Sequence, residues 1–232
     1  MINKIDIKYR VTLIIPAYQE ENGIEATLSE IIKLKDKGFI DEIIIVDDGS
    51  KDKTKEIVAS YDDIKLIRHK KNKGYGASLK TGINNSSNDI ICITDCDGTY
   101  PSDQIPILIE KLIKNDLDMI VGARTGKIVK IPLIRKPAKW FIGKLANWVS
   151  GNNIPDINSG LRLFKKKSFI PFHGIVPNGF SFTTTITLGM ISGGYKIDFH
   201  PIEYGKRIGK SKIRPFRDTL NLFYNLLKSF PK

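Results

Sequence analysis

Short runs of isoleucine and valine alternate with amphipathic stretches over the first 118 residues of this 232-residue chain. The runs are apolar throughout, as in strands that are buried on both faces, and they cover residues 11–15, 42–46, 64–67, 89–94 and 118–121. The stretches between them have helical spacing, and they cover residues 20–37, 51–60, 76–84 and 102–114. This alternation predicts an α/β fold, with a mostly parallel central sheet flanked by helices.

The second part of the chain has a less regular pattern. It predicts helices at residues 135–149 and 182–191, strands at residues 161–164 and 196–204, and a C-terminal amphipathic helix at residues 216–230. A chain of 232 residues is long enough for one large α/β domain and short for two, so we predict a single domain over residues 1–232.

Charge is unevenly distributed along the chain, whose formal net charge is +12. Residues 1–118 contain 17 Lys/Arg and 21 Asp/Glu, whereas residues 119–197 contain 12 Lys/Arg and one acidic residue, Asp156. The acidic part is suited to binding a cation, and the basic part is suited to an anionic partner.

The two cysteines, Cys92 and Cys96, lie in one predicted strand and just after it, with no second pair to complete a zinc site or a disulfide framework. This composition favours a reducing compartment. The first ten residues lack the apolar core of a signal peptide, and no window approaches the roughly 18 consecutive apolar residues of a membrane span. We therefore expect a cytoplasmic chain that does not itself cross a bilayer.

Acidic side chains follow three of the predicted strands: Glu20, Asp48, and the pair Asp95 and Asp97. Ligands of parallel sheets bind at the carboxyl ends of the strands, where these side chains would meet. Two carboxylates at positions i and i+2 can share a hard divalent cation to which a diphosphate adds further oxygens. The spacing alone is weak, because residues 116–118 repeat it at a predicted turn, and residues 47–50 could be only a turn and a helix cap.

These strand-end motifs resemble the signature of family 2 inverting glycosyltransferases with the GT-A fold, at residues 15–20, 46–50, 72–74 and 95–97. Residues 159–164 (SGLRLF) and 209–212 (GKSK) are similar to the dolichyl-phosphate mannose synthase-like branch, whose members glycosylate polyprenyl phosphates. The resemblance extends over residues 11–214. It implies a Rossmann-like GT-A domain with a nucleotide- and metal-binding half (residues 1–118), an acceptor-binding half (residues 119–214) and a C-terminal helix (residues 215–232) that could lie near a membrane.

The resemblance also assigns roles to individual residues. The donor nucleotide would contact Pro16, Tyr18, Glu20, Val46, Asp47, Asp48 and Lys73. Asp95 and Asp97, with the Cys96 backbone between them, would hold Mg²⁺ or Mn²⁺ and the diphosphate. The sugar and the acceptor phosphate would face Arg124, Arg135, Ser159 and Arg162, and a late loop would neutralise phosphates with Arg207 and Lys212.

Two positions depart from the family pattern. Thr99 stands where members often have Gln, and Lys206 stands where they often have Arg. Either Lys206 or Arg207 could therefore fill the phosphate-binding position.

The scarcity of acids in the second part favours a phosphate acceptor. A sugar hydroxyl needs a carboxylate base to become a nucleophile, and residues 119–197 offer only Asp156. A phosphate monoester, with a second pKa of about 6, is already an oxyanion at neutral pH. The composition thus favours a phosphate acceptor, and the resemblance implies transfer of a hexose, from GDP-mannose or a UDP-hexose, to a polyprenyl phosphate.

Lysines and arginines interleave with Trp140 and Trp148 over residues 127–148. This composition suits a helix lying on an anionic membrane, at its cytoplasmic face, although a helix that packs its tryptophans into the core has the same composition.

Three other functions are alternatives. The first is a family 2 glycosyltransferase acting on a saccharide hydroxyl. The second, a nucleotidyltransferase, would need a glycine-rich triphosphate loop near the first strand, which the sequence lacks. The third, a nucleic-acid-binding protein, is prompted by the pI of 9.5, but the net acidic first part argues against it, so no nucleic-acid partner is expected.

Overall fold

The fold was analysed in a computed structural model that describes residues 9–126 and 154–207. The strands are β1 (Val11–Ala17), β2 (Glu42–Asp47), β3 (Lys65–Arg68), β4 (Ile90–Ile93), β5 (Met119–Ala123), β6 (Arg162–Lys165) and β7 (Ile197–Pro201). The helices are α1 (Ile24–Asp36), α2 (Thr54–Ala59), α3 (Tyr75–Asn85), α4 (Gln104–Lys114), α5 (Lys166–Phe169), which continues into a 3₁₀ turn (Ile170–Phe172), and α6 (Phe182–Ser192).

The seven strands form one sheet in the order β3-β2-β1-β4-β6-β5-β7. Strand β6 runs antiparallel to both of its neighbours, β4 and β5, and the other pairs are parallel. The prediction of a mostly parallel sheet is therefore confirmed. Because β2, β1 and β4 are adjacent and parallel, their carboxyl ends lie side by side at one edge of the sheet.

Helices cover the sheet on both faces, which explains why the central strands β1, β2 and β4 are mostly apolar. Leu13 and Ile15 of β1 pack in one cluster with residues of α1 and α4, whereas Ile14 packs in the opposite cluster with residues of α3 and α6. Successive side chains of a strand point to opposite faces, so a strand covered on both faces has mostly apolar residues, and a polar side chain in it needs a hydrogen-bond partner.

Several element boundaries differ from the predicted ones. Helix α1 begins at Ile24 instead of residue 20, because residues 20–23 form a turn in which the Glu20 carbonyl accepts bonds from the backbone N–H groups of Gly23 and Ile24. Helix α2 begins at Thr54 instead of residue 51, where Asp52 accepts a bond from the Thr54 N–H. The short α5 and its 3₁₀ turn were not predicted.

The predicted helices at residues 135–149 and 216–230 lie outside the described residues. Among residues 9–126 and 154–207, no helix is both long and apolar enough to span a membrane.

Candidate active site

The strand-end carboxylates converge at the edge formed by β1, β2 and β4. Glu20 follows β1 and Asp97 follows β4, and the guanidinium of Arg207 contacts both of them. Asp48 follows β2, and its backbone N–H donates to the carbonyl of Ala17, the last residue of β1. The loops that leave these three strands therefore meet at one site.

Asp97 is held by the residue that departs from the family pattern. Its Oδ1 accepts hydrogen bonds from the backbone N–H of Thr99 (3.1 Å) and from the Thr99 hydroxyl (2.5 Å). Its Oδ2 lies 3.1 Å from Arg207 Nη1, in an ion pair without hydrogen-bond alignment. Thr99 therefore fixes one oxygen of Asp97 and leaves the other facing the site.

Asp95 lies close to Asp97 and is half-buried. Its Oδ1 is shielded from solvent and has no hydrogen-bond partner. Burial and the nearby charge of Asp97 raise the pKa of Asp95 to about 7, against the opposing effect of Arg207. Gly160 packs against this carboxylate so closely that a Cβ on it would lie 2.8 Å from Asp95 Oδ2.

The side chains of Lys206 and Arg207 in the late loop point in different directions. Lys206 is exposed, whereas Arg207 turns inward and its Nη2 donates to Glu20 Oε1 at 2.9 Å. Burial lowers the pKa of Arg207, but Asp97 and Glu20 outweigh it and raise that pKa overall. Arg207, and not Lys206, is the cation of this site.

Asp48 organises the loop that follows β3. Its Oδ1 accepts bonds from the Lys73 N–H (2.8 Å) and pairs with His69 Nδ1 (2.7 Å), and its Oδ2 accepts a bond from the Gly74 N–H (2.8 Å). Gly74 has a φ of 104°, and a Cβ there would lie 2.5 Å from the Asn178 carbonyl oxygen. The Lys73 side chain is exposed, so its backbone makes the contact. Sequence reasoning missed His69, because nothing in its spacing links it to Asp48.

The remaining donor-side residues line the ends of β1 and β2. Pro16 pairs with Val46 in register, and Val46 is fully buried. Tyr18 is half-buried after β1, and Asp47 Oδ1 accepts a bond from the Ser50 N–H. The buried Cys96 thiol lies 3.5 Å from the Pro16 carbonyl oxygen.

A second cluster centres on Arg124, just after β5. Its Nε and Nη2 donate to the two carboxylate oxygens of Asp156 at 2.6 and 2.9 Å, and its backbone N–H donates to Asp156 Oδ2 at 3.0 Å. Arg124 Nη2 also donates to Asn158 Oδ1, and the guanidinium lies 5.2 Å from the centre of the Tyr204 ring. Asp156 is thus committed to holding Arg124 in place.

Ser159 and Arg162, which the resemblance assigns to the acceptor site, are both fully buried, and their contact with an acceptor stays a prediction. The Ser159 hydroxyl donates to the Gly122 carbonyl at 2.6 Å. The fully buried Arg162 donates to the Ser159 carbonyl, and to the Thr183 carbonyl and the Thr187 hydroxyl at 2.9 Å each. Burial lowers the pKa of Arg162 to about 10. Both residues brace the segment that carries Gly160.

Two predicted site residues, Arg135 and Lys212, lie outside the described residues. The basic segment 127–148, which is predicted to lie on a membrane, also lies outside them.

The pair Asp95 and Asp97 fits a divalent cation. Six buried side-chain nitrogen or oxygen atoms of the described residues lack hydrogen-bond partners, and three of them belong to Asp95, Asp97 and Arg207. Such atoms are costly unless a ligand or water satisfies them. No group of three or more His, Cys, Asp or Glu side chains suited to a metal occurs in residues 9–126 and 154–207, so the protein would supply two carboxylates and a substrate the remaining ligands.

A mostly parallel α/β sheet with two carboxylates at its strand ends is typical of enzymes that bind a nucleotide together with a divalent cation. Comparison with known proteins agrees, because the sequence profile described as Glycosyl transferase family 2 matches residues 12–171. The chain belongs to this family and is a glycosyltransferase.

Two curated relatives and one solved structure illustrate the similarity. A dolichyl-phosphate hexose transferase from Haloferax volcanii is 27% identical over 89% of this chain and 87% of its own length. A dolichol-phosphate mannosyltransferase from Pyrococcus furiosus is 31% identical over 94% of this chain and 64% of its own length. The crystal structure of glucosyl-3-phosphoglycerate synthase from Mycobacterium tuberculosis with Mn²⁺, UDP and phosphoglyceric acid superposes with a TM-score of 0.75, at 17% identity, over 97% of this chain and 80% of that one. The predicted GT-A fold is confirmed.

Proposed function

We propose that this chain transfers a hexose from a nucleotide-diphospho-sugar to a polyprenyl phosphate, with inversion at the anomeric carbon. The observation that carries the proposal is the bidentate ion pair between Arg124 and Asp156. Both oxygens of Asp156 accept bonds from Arg124, so the one acid of residues 119–197 is engaged as a structural anchor. An acceptor that needs no deprotonation fits this arrangement better than a sugar hydroxyl does.

The donor half of the proposal rests on the strand-end cluster. Asp95 and Asp97 would hold Mg²⁺ or Mn²⁺, which when bound would offset the charge on the leaving diphosphate. The nucleoside would lie between the ends of β1 and β2, against Pro16 and Tyr18, with the loop that Asp48 organises closing one side. Relatives support this assignment, since the Mycobacterium tuberculosis enzyme binds Mn²⁺ and UDP. A GDP-linked and a UDP-linked donor both remain within the proposal.

The acceptor half rests on fixed positive charge. The acceptor phosphate oxygen would form a bond to the anomeric carbon while the bond from that carbon to the donor diphosphate breaks, so a nucleoside diphosphate leaves and no proton is released. Arg124, oriented by Asp156, would offset the repulsion between acceptor and donor phosphates, with Arg135 as its proposed companion. Polyprenyl phosphate is the proposed acceptor because the two curated relatives are named for dolichyl-phosphate chemistry.

A lipid acceptor implies work at a membrane surface. We propose peripheral attachment at an anionic cytoplasmic face through residues 127–148, with residues 215–232 nearby, on the basis of the interleaved cations and tryptophans. The two buried free thiols, Cys92 and Cys96, are compatible with a reducing compartment.

The test offers the purified enzyme a polyprenyl phosphate and a free oligosaccharide, each with labelled UDP-glucose, UDP-N-acetylglucosamine or GDP-mannose and with Mg²⁺ or Mn²⁺. We expect label in the lipid fraction with one donor preferred. Label confined to the oligosaccharide would refute the acceptor assignment and leave the glycosyltransferase assignment unchanged.

A further inference from the structure

The guanidinium of Arg207 bridges the ends of two strands. Its Nη2 donates to Glu20 Oε1 at 2.9 Å, and its Nη1 lies 3.1 Å from Asp97 Oδ2. Glu20 is 6% exposed and Asp97 is 1% exposed. Arg207 thus neutralises two buried carboxylates, one of which is a proposed metal ligand.

The bridge satisfies these groups only in part. Asp97 Oδ2 and Arg207 Nε are both buried without a hydrogen-bond partner, even though their side chains form an ion pair. A permanent structural ion pair would be expected to satisfy such atoms, because an unmade buried hydrogen bond costs about 1–3 kcal/mol. The incomplete hydrogen bonding favours an Arg207–Asp97 ion pair that can be replaced when a ligand offers both side chains better partners.

We propose that Arg207 is a positioning residue that couples metal binding to donor binding, by holding Asp97 until a divalent cation replaces it and then pairing with the donor diphosphate. This inference rests on the proposed function. In this exchange, the Arg207 guanidinium leaves Asp97 when the divalent cation binds there, and the guanidinium then pairs with the donor diphosphate.

The electrostatics of the exchange predict cooperativity. A divalent cation approaching Asp97 alone meets the fixed positive charge of Arg207 and must break its ion pair, which weakens metal binding. A diphosphate bound at the same time offers the guanidinium a bidentate partner, which removes that cost. Metal and nucleotide should therefore each tighten the binding of the other by the same factor.

The test measures Mn²⁺ affinity by electron paramagnetic resonance for the full chain alone, with UDP and with GDP, corrected for Mn²⁺ bound by nucleotide in free solution. In the unmodified protein, we expect weak binding of Mn²⁺ alone and much tighter binding with one nucleotide. Arg207→Met should bind Mn²⁺ alone roughly tenfold more tightly, within the usual range of coupling between two sites, and should lose a similar factor of nucleotide enhancement. Lys206→Met, at the exposed neighbouring position, should behave like the unmodified protein.

A second variant guards against misfolding. Arg207→Gln removes the charge but keeps hydrogen-bonding groups, so it should change Mn²⁺ affinity in the same direction, with circular dichroism confirming the fold of both variants. Unchanged or weaker binding of Mn²⁺ alone in the two folded variants would overturn the exchange while leaving the proposed function intact. Absence of Mn²⁺ binding in every protein, with either nucleotide, would overturn the exchange and the Mn²⁺ site at Asp95 and Asp97, whereas hexose transfer is tested separately by the labelling assay.

Discussion

The carboxylates of the Asp95–Asp97 cluster and of the Arg124–Asp156 cluster differ in how completely they are hydrogen-bonded. After β4, Asp95 and Asp97 each keep a buried oxygen without a hydrogen-bond partner. After β5, both oxygens of Asp156 are bonded by Arg124. A carboxylate oxygen without a hydrogen-bond partner can bind a ligand, whereas a carboxylate held in a bidentate pair serves to orient its partner. The acidic side chains of one sheet edge thus have different proposed roles, which mutations can separate.

The largest effect is expected from Asp97→Ala. Loss of this carboxylate should lower the transfer rate by at least about 100-fold, because charge on the leaving diphosphate would lose its main stabilisation. Metal-dependent nucleotide binding should be lost as well, as measured by calorimetry with UDP and GDP in the presence of Mn²⁺.

The matched control is Asp116→Ala, which alters the other Asp-x-Asp pair. Asp116 has a side chain that is 78% exposed and pairs with Lys165, so its loss should leave activity unchanged. Normal transfer by folded Asp97→Ala protein would remove Asp97 from the site.

The next largest effect is expected from Gly160→Ala. The added methyl group would lie 2.8 Å from Asp95 Oδ2, so the carboxylate or the backbone must shift. We expect about a tenfold loss of Mn²⁺ affinity in the presence of nucleotide, since a displacement of a few tenths of an ångström disturbs ligand geometry. Gly174→Ala, where an added Cβ meets nothing within 4 Å, should bind Mn²⁺ normally. Equal affinities in the two variants would show that Asp95 does not depend on this packing.

Asp156→Asn should have a smaller effect on catalysis than either. The amide can still accept a bond from Arg124 but loses the charge pair, so Arg124 becomes less well fixed. We expect a several-fold rise in KM for the acceptor, a smaller fall in kcat, and a loss of stability of about 1–3 kcal/mol in urea unfolding. A general base would behave differently, because its loss typically lowers kcat by about 100-fold or more. A fall of that size in kcat would mean that Asp156 removes a proton and that the acceptor is a hydroxyl.

The sequence predicted the strands and the carboxylate edge well, because buried parallel strands leave an apolar run and a polar end in the local pattern. The insertion of antiparallel β6 between β4 and β5 was not predictable in this way, since pairing partners are not encoded in a short window. The late loop shows the same limit, because the local sequence does not tell which of the adjacent cations Lys206 and Arg207 turns toward Glu20 and Asp97.

The alternation of side chains along β6 predicts which face of the sheet Arg162 lies on. Leu161 and Leu163 pack on one face of the sheet, and Phe164 packs on the other. Alternation places Arg162 on the same face as Phe164, under α6, where its guanidinium donates to the Thr183 carbonyl. The alternation along a strand covered on both faces therefore predicts that Arg162 is buried.

The smallest expected effect is on stability as a function of pH, and it also separates the two clusters. The pKa of Asp95 is raised from its ordinary value of 3.8 to about 7 in the folded protein. The folded protein thus holds a proton that the unfolded chain releases, so this contribution to stability is fully present below about pH 4 and is lost as pH rises to about 7. For protein without added metal, we expect the melting temperature to fall across this window by at least about 3 °C more in the unmodified protein than in Asp95→Asn, a shift of the size that one kcal/mol produces in a domain of this length.

Asp116→Asn is the control, because hydrogen bonding to Lys165 lowers the pKa of Asp116 and places its titration below the window. Adding Mn²⁺ with nucleotide should abolish the difference for the unmodified protein, since the ligands stabilise the ionised carboxylate. If Asp95→Asn and the unmodified protein lose stability in parallel between pH 4 and 7, Asp95 is ionised throughout that range and the contrast with Asp156 rests on geometry alone.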